Sequence, residues 1–283
     1  MTRAEQVTEP LAFHGEGPVW SPAWGGLRFV DMFAGDVLSL GIGGAVARRH
    51  VGAIAAALRP RRNGGAVIAV ERGFVLEDGA GALHPLPDIW TDPTIRMNDG
   101  GCDPEGRFYC GTTAYDHAAD RGSLYRLDAD GSVSLVFGAV TISNGLGWSP
   151  DGATAYYADT PTRRVDRFDY AAETGLSGRR PFVEIPDGAG FPDGLTVDAD
   201  GYVWVALYAG AAVRRYRPDG TLDGVVDLPV SRPTACTFGG DDLTDLFITT
   251  SQENLAEGAE PAAGALFCCQ PGVRGLPVIA FAG

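Results

Sequence analysis

The fold class this sequence predicts is all-β, a six-bladed β-propeller, on three observations. A unit of about 45 residues recurs along the chain, each unit is built of short β-rich runs between glycine turns, and no long stretch has helical periodicity. Glycine (40 residues) and proline (19) interrupt every candidate helix.

The repeat comes first. Segments at 21–32, 59–72, 102–113, 148–161, 197–209 and 238–252 share an acidic or small-residue turn containing Gly, followed by β-branched and aromatic residues. Their turn glycines are Gly25, Gly64, Gly106, Gly152, Gly201 and Gly240, spaced by 39, 42, 46, 49 and 39 residues. Such a period, with strands throughout, is the signature of propeller blades. Between the markers lie further strand-like runs, among them 122–138, 164–171 and 212–229. Asp-Gly pairs at 78–79, 130–131, 151–152, 200–201 and 219–220 supply hairpin turns. The units account for nearly the whole chain, so one domain over 1–283 is expected. A ring must also close, and an N-terminal strand near Val7–Phe13 is expected beside C-terminal strands around Leu266–Gln270.

Composition narrows the function classes. A net charge of −14 argues against a nucleic-acid partner, which needs a concentrated basic surface. All 22 basic residues are arginine, which excludes Schiff-base and P-loop lysine chemistry. The five cysteines are odd in number and lack C-x-x-C spacing, against a zinc knot or a disulfide framework. No run of 18 apolar residues offers a membrane span, so no membrane partner is expected. The first ten residues carry two glutamates and no apolar stretch, unlike a secretory signal, and the expected location is the cytoplasm. A G-x-S-x-G elbow is missing, which argues against a serine hydrolase. His14, His50, His84 and His117 lack metal-binding spacing and read as surface or packing residues. His117 stands apart, because it follows Asp116 in a loop expected at the channel rim.

The repeat also aligns polar residues. Asn98, Asn144 and Asp193 each lie 8 residues before their blade's marker glycine, and Glu16 lies 9 before Gly25. Equivalent points on different blades are related by rotation about the channel axis. If these segments are the innermost strands, the side chains converge there. Asn-Gly and Asp-Gly are common turn pairs, so each site alone also reads as a turn. The shared offset favours convergence, and Glu16 is no turn former. Carboxylates and amides meeting in a channel call for a cation among them. Oxygen donors suit Ca²⁺, Mg²⁺ or Mn²⁺, and Zn²⁺ with open positions for water is also compatible.

At these residues the sequence resembles the regucalcin and gluconolactonase family, the senescence marker proteins. The resemblance rests on Gly15-Glu16-Gly17-Pro18-Val19-Trp20, on residues 96–107 beginning Arg96-Met97-Asn98-Asp99-Gly100, on residues 143–152 beginning Ser143-Asn144-Gly145, and on Phe191-Pro192-Asp193-Gly194-Leu195. Arg232-Pro233-Thr234 and residues 238–243 extend it into the last blade. It implies a six-bladed propeller with one divalent metal held by Glu16, Asn144 and Asp193. It further implies substrate contacts from Arg96, Asn98 and an acidic residue after the Gly111–Ala114 run, here Asp116. The implied activity is hydrolysis of a sugar lactone, with Asp193 as the catalytic residue handling the attacking water. Hydrolysis of other esters or organophosphates by the same site, and a non-catalytic metal-binding propeller, stand as alternatives. His14, just before the first motif, has no assigned role.

Overall fold

The computed structural model describes residues 2–283. Two short strands, β1 (Thr2–Arg3) and β2 (Glu5–Gln6), precede the first blade. That blade comprises β3 (Gly15–Ser21), β4 (Gly26–Asp31), β5 (Asp36–Leu40) and β6 (Val46–His50). The second has β7 (Ala55–Pro60), β8 (Ala66–Val70), β9 (Phe74–Glu77) and β10 (Leu83–Pro85). The third has β11 (Ile95–Cys102), β12 (Phe108–Ala114), β13 (Gly122–Leu127) and β14 (Val133–Val140). The fourth has β15 (Ser143–Trp148), β16 (Thr154–Asp159), β17 (Arg164–Ala171) and β18 (Gly175–Glu184). The fifth has β19 (Phe191–Val197), β20 (Val203–Tyr208), β21 (Ala212–Tyr216) and β22 (Leu222–Asp227). The sixth has β23 (Pro233–Gly239), β24 (Asp245–Thr250) and β25 (Phe267–Cys269). The sheets form a six-bladed propeller, and the first strand of each blade packs against the first strands of its two neighbours around a ring. Among the described residues no helix is long and apolar enough to cross a membrane.

The glycine turns that define the repeat all have one backbone conformation. Gly25, Gly64, Gly106, Gly152, Gly201 and Gly240 have φ of 68°, 88°, 86°, 71°, 82° and 81°, each between the first and second strands of its blade. A left-handed residue is needed at the same point of every hairpin, and glycine adopts it without a Cβ penalty.

Each inner strand also carries a bulge in its first half. Register shifts fall between Glu16 and Val19, Ala55 and Ala57, Met97 and Gly100, Ser143 and Leu146, Pro192 and Leu195, and Pro233 and Ala235. A bulge bends a strand and re-aims the side chains beside it. Asn98, Asn144 and Asp193 each occupy the first bulged position, while Glu16 immediately precedes the bulge formed by Gly17 and Pro18. The bulge thus keeps the same offset of 8 residues from the marker glycine in blade one, and the extra residue in the Glu16 offset places Glu16 one position ahead of it.

Blades adhere through apolar faces sharpened by aromatic pairs. Trp20 of β3 stacks on Phe247 of β24 at 5.9 Å, Tyr109 of β12 meets Trp148 of β15 at 5.6 Å, and Trp204 of β20 meets Phe238 of β23 at 5.5 Å. These pairs join blades one and six, three and four, and five and six, so the tryptophans serve as packing residues between blades.

Ring closure differs in detail from expectation. The strand that completes the sixth blade is β2, antiparallel to β25 with Glu5 opposite Cys268, and lies upstream of Val7–Phe13. Pro10 has no amide hydrogen to continue a ladder. Residues 7–12 remain attached through single bonds, Val7 N–H to Leu266 O (2.8 Å) and Leu11 N–H to Gly264 O (2.9 Å). An unanticipated parallel pair sets β1 beside β22, so the chain start ties the fifth blade to the sixth.

Gly145 and Gly194, the second residues of their bulges, sit where neighbouring blades nearly touch. A Cβ on Gly194 would lie 2.4 Å from Ala235 Cβ and 2.8 Å from Ala235 Cα in β23. The obstacle is backbone and cannot rotate away. Gly194→Ala is expected to destabilise the fold by about 1–3 kcal/mol, seen as a lower urea midpoint at unchanged m-value. An unaltered midpoint would show that the blades have slack at the axis.

Candidate active site

The bulged ends of the inner strands open on an axial cavity of about 310 Å³. Glu16, Arg96, Asn98, Asn144 and Asp193 all line it, so the structure brings together five of the six residues expected from the sequence. Asp116 is not among the lining residues. It is exposed at the start of a turn, where its Oδ1 accepts the Ala118 amide at 3.0 Å. Its neighbours take the inward positions. Tyr115 places its ring 5.8 Å from the Arg96 guanidinium, and His117, held at φ 54°, lines the cavity.

A hydrogen-bonded chain fixes the amide and guanidinium groups. Arg96 Nη1 donates to Asn98 Oδ1 at 2.7 Å, and Asn98 Nδ2 donates to Asn144 Oδ1 at 3.1 Å and to Ser143 O at 2.8 Å. Asn144 Nδ2 donates to Thr160 Oγ1 at 2.7 Å, whose hydroxyl donates to Pro192 O at 2.8 Å. This network gives Asn144 a defined orientation, with one lone pair of Oδ1 still available. The Arg96 guanidinium is buried between the rings of Phe33 and Tyr115, and its Nε has no protein partner.

The carboxylates carry the electrostatic signature. Burial, then the Asp99 charge, pushes Glu16 well above the usual carboxylate range, against the opposing Gly17 amide and Arg96. Burial, then Glu16, Asp99 and Glu253, does the same to Asp193. His14 is pushed down to about 3 by burial and the Arg96 charge, so it is neutral near pH 7. Its Nδ1 lies 2.8 Å from Ser251 Oγ and its Nε2 is 3.9 Å from Glu16 Oε1. Asp99 belongs to the far halves of the inner strands, where with Arg59 it lines a second cavity of about 360 Å³.

Thr160, Tyr208, Glu253 and Asn254 also line the first cavity and were not singled out from the sequence. All lie at or just after the second strand of a blade. The signal was present in the repeat, but these loops differ in length and give no constant offset.

An all-β propeller whose inner-strand bulges aim acids, amides and an arginine at one end of the axis defines the class. The chain belongs to the SMP-30/gluconolactonase/LRE-like family, whose sequence profile matches residues 14–252. It is 38% identical to the pentonolactonase XacC of Haloferax volcanii over 272 residues, covering 93% of this chain and 92% of the relative. It is 36% identical to zebrafish (Danio rerio) regucalcin over 283 residues, with 95% of each chain covered. Among solved structures it is similar to a calcium-binding regucalcin from Agrobacterium tumefaciens, with TM-score 0.94, 28% identity and coverage of 100% and 98%. A gluconolactonase from Xanthomonas campestris matches with TM-score 0.76, 26% identity and coverage of 94% and 89%.

The donor set fits the divalent cation that the family resemblance implies. Among the described residues no three His, Cys, Asp or Glu side chains form a metal-binding group, so such a set must draw on further oxygen donors. Glu16 and Asp193 with Asn144 Oδ1 meet that condition. The two acids raise each other's cost of ionisation in a buried space, and a cation between them would remove it. The sign of the pH dependence follows. Acids with raised pKa values contribute stability that is full below the ordinary carboxylate range and is lost as pH rises through the raised values. In cation-free buffer, melting temperature should therefore fall as pH rises above the ordinary carboxylate range. Glu16→Gln or Asp193→Asn should flatten that fall, and a divalent cation added at neutral pH should reverse it. Wild type and both variants with parallel pH profiles would contradict this electrostatic account.

Proposed function

We propose that the chain is a divalent-cation-dependent lactonase that opens a sugar lactone to the aldonic acid. The observation that carries the reading is the placement of Glu16, Asn144 and Asp193 beside Arg96 and Asn98 in one axial cavity. A cation held by the first three would supply Lewis-acid polarisation of the lactone carbonyl. The chain's own groups do the rest. Asp193, which lines the same cavity, is the carboxylate that would withdraw a proton from the attacking water. The water oxygen adds to the carbonyl carbon, the ring carbon–oxygen bond breaks, and the leaving alkoxide takes up a proton. Arg96, oriented by Asn98 and held between two aromatic rings, offers N–H donors to substrate oxygens. Fixed donors of this kind reduce the entropic part of the barrier.

The test is turnover of gluconolactone, xylonolactone, arabinolactone and galactonolactone by chelator-stripped protein, then with Ca²⁺, Mg²⁺, Mn²⁺ or Zn²⁺ restored. Stripping should abolish turnover and at least one cation should recover it. Asp193→Ala should lower kcat by at least about 100-fold, with cation binding measured alongside to separate loss of the base from loss of a ligand. Full activity after verified metal removal would sink the cation's role. Preference for phenyl acetate or an organophosphate over every sugar lactone would replace the substrate class.

A further inference from the structure

One acidic side chain in the cavity lies outside the set that would hold a cation. Glu253 and Asn254 project from the loop after β24, in the sixth blade and so three blades round the ring from Arg96. The backbone there is clamped. The Glu253 carbonyl accepts the Tyr208 hydroxyl at 3.2 Å and the Arg232 guanidinium, and its amide donates to Ser251 Oγ at 2.9 Å. Arg232 in turn lies over the Tyr208 ring at 5.4 Å, and Asn254 takes a left-handed φ of 56°. A loop held this tightly presents its carboxylate in a defined place.

The two carboxylate oxygens are used unequally. Oε2 lies 3.4 Å from His14 Nδ1 and 3.5 Å from the Tyr208 hydroxyl. Oε1 takes no hydrogen bond from the protein among the described residues, and the side chain is 26% exposed. A carboxylate beside Nδ1 favours the tautomer with the proton on that nitrogen, which leaves His14 Nε2 as an acceptor next to Glu16. Glu253 and His14 thus form a wall of hydrogen-bond acceptors, whereas Arg96 supplies donors from the third blade. An acceptor wall selects ligands rich in donors. The hydroxyls of a sugar lactone are such donors, and an unsubstituted lactone has none.

We propose that Glu253 is a substrate-binding, specificity-determining residue that accepts hydrogen bonds from the ring or side-chain hydroxyls of a polyhydroxylated lactone. The assignment rests on the lactonase reading above. It also accounts for a carboxylate inside the cavity when Asp116 lies outside it. Tyr208, Arg232 and Ser251 are positioning residues that hold Glu253 in place.

The experiment compares xylonolactone with γ-butyrolactone, the ring ester without hydroxyls, in wild type, Glu253→Gln and Glu253→Ala. The ratio of kcat/KM for the hydroxylated over the plain lactone should fall at least about tenfold in both variants, chiefly through KM. An unchanged ratio, whether activity is retained or lost equally on both substrates, would overturn the proposal. Should the wild type hydrolyse neither ester, binding of D-xylose, a cyclic polyol with no ester, is measured by calorimetry. Xylose binding weakened in both variants would then support the Glu253 assignment while the lactonase reading falls. Xylose binding that is absent, or equal in all three proteins, would overturn the assignment.

Discussion

The bulge in the first half of every inner strand is the constraint on which the site depends. Two residues facing one cannot both continue the pleat, so the strand bends and a side chain is re-aimed. Repeated around a ring, the same local irregularity directs one position per blade toward the axis. Blades three, four and five place Asn98, Asn144 and Asp193 there, and blade one places Glu16 beside its bulge. Blades two and six use the position otherwise. Ala56 is buried in the apolar core, and Thr234 donates to Gly15 O at 2.6 Å, which braces β23 against β3. The polar cavity is therefore lopsided within a nearly regular ring, and a lopsided site can hold an asymmetric ligand in one orientation.

Charge compensation elsewhere in the molecule shows how unusual the axis is. Asp198 is fully buried and accepts Arg215 Nη2 at 2.8 Å; Asp166 receives Arg164 at 2.5 Å and Arg179 at 2.7 Å; Asp103 receives Arg107 at 2.6 Å. Glu77 is met by Arg28 and Arg49 at 2.7 and 2.8 Å. In those places a guanidinium lies against the acid, as burial of a charge demands. At the axis Glu16 and Asp99 accept the neighbouring glycine amides at 2.9 and 2.7 Å, and the Arg96 guanidinium bonds to an amide oxygen instead of a carboxylate. A chain with arginines to spare for its structural acids leaves these ones short of positive charge. The deficit is a property of a binding site, because a ligand can then supply what the protein withholds.

Much of this was legible in the sequence because the fold repeats a local requirement. The marker glycines share one left-handed turn, so their spacing reported the blades, and the offset from those glycines reported the bulges. In blade one the bulge at Gly17 and Pro18 keeps that offset, and the extra residue before Gly25 places Glu16 one position ahead of it. Less legible were groups whose direction is set by irregular backbone. Asp116 and His117 are adjacent, yet the left-handed φ of His117 turns the chain so that Asp116 bonds to its own loop. Glu253 lies in a loop whose course is fixed by Tyr208 and Arg232 from other parts of the chain, contacts that no periodicity encodes.

Ring closure gives these local features their collective meaning. Glu16 lies near the start of the chain, and Asp193 belongs to the fifth blade, with the sixth blade between them. Their relative position is transmitted through the contacts of β19 with β23 and of β23 with β3. The outer strand of that sixth blade is β2, borrowed from the beginning of the chain. The chain start thus closes the blade that carries Glu253 and places Glu16 on the next one. Beneath the ring the C-terminal segment adds a second tie, with Gly275 bridging to Asp198 and Phe281 to Arg61. Both ends of the chain are engaged in holding the blades at fixed angles. That is what a cavity assembled from separate blades requires, since no single blade contains enough of it to bind anything.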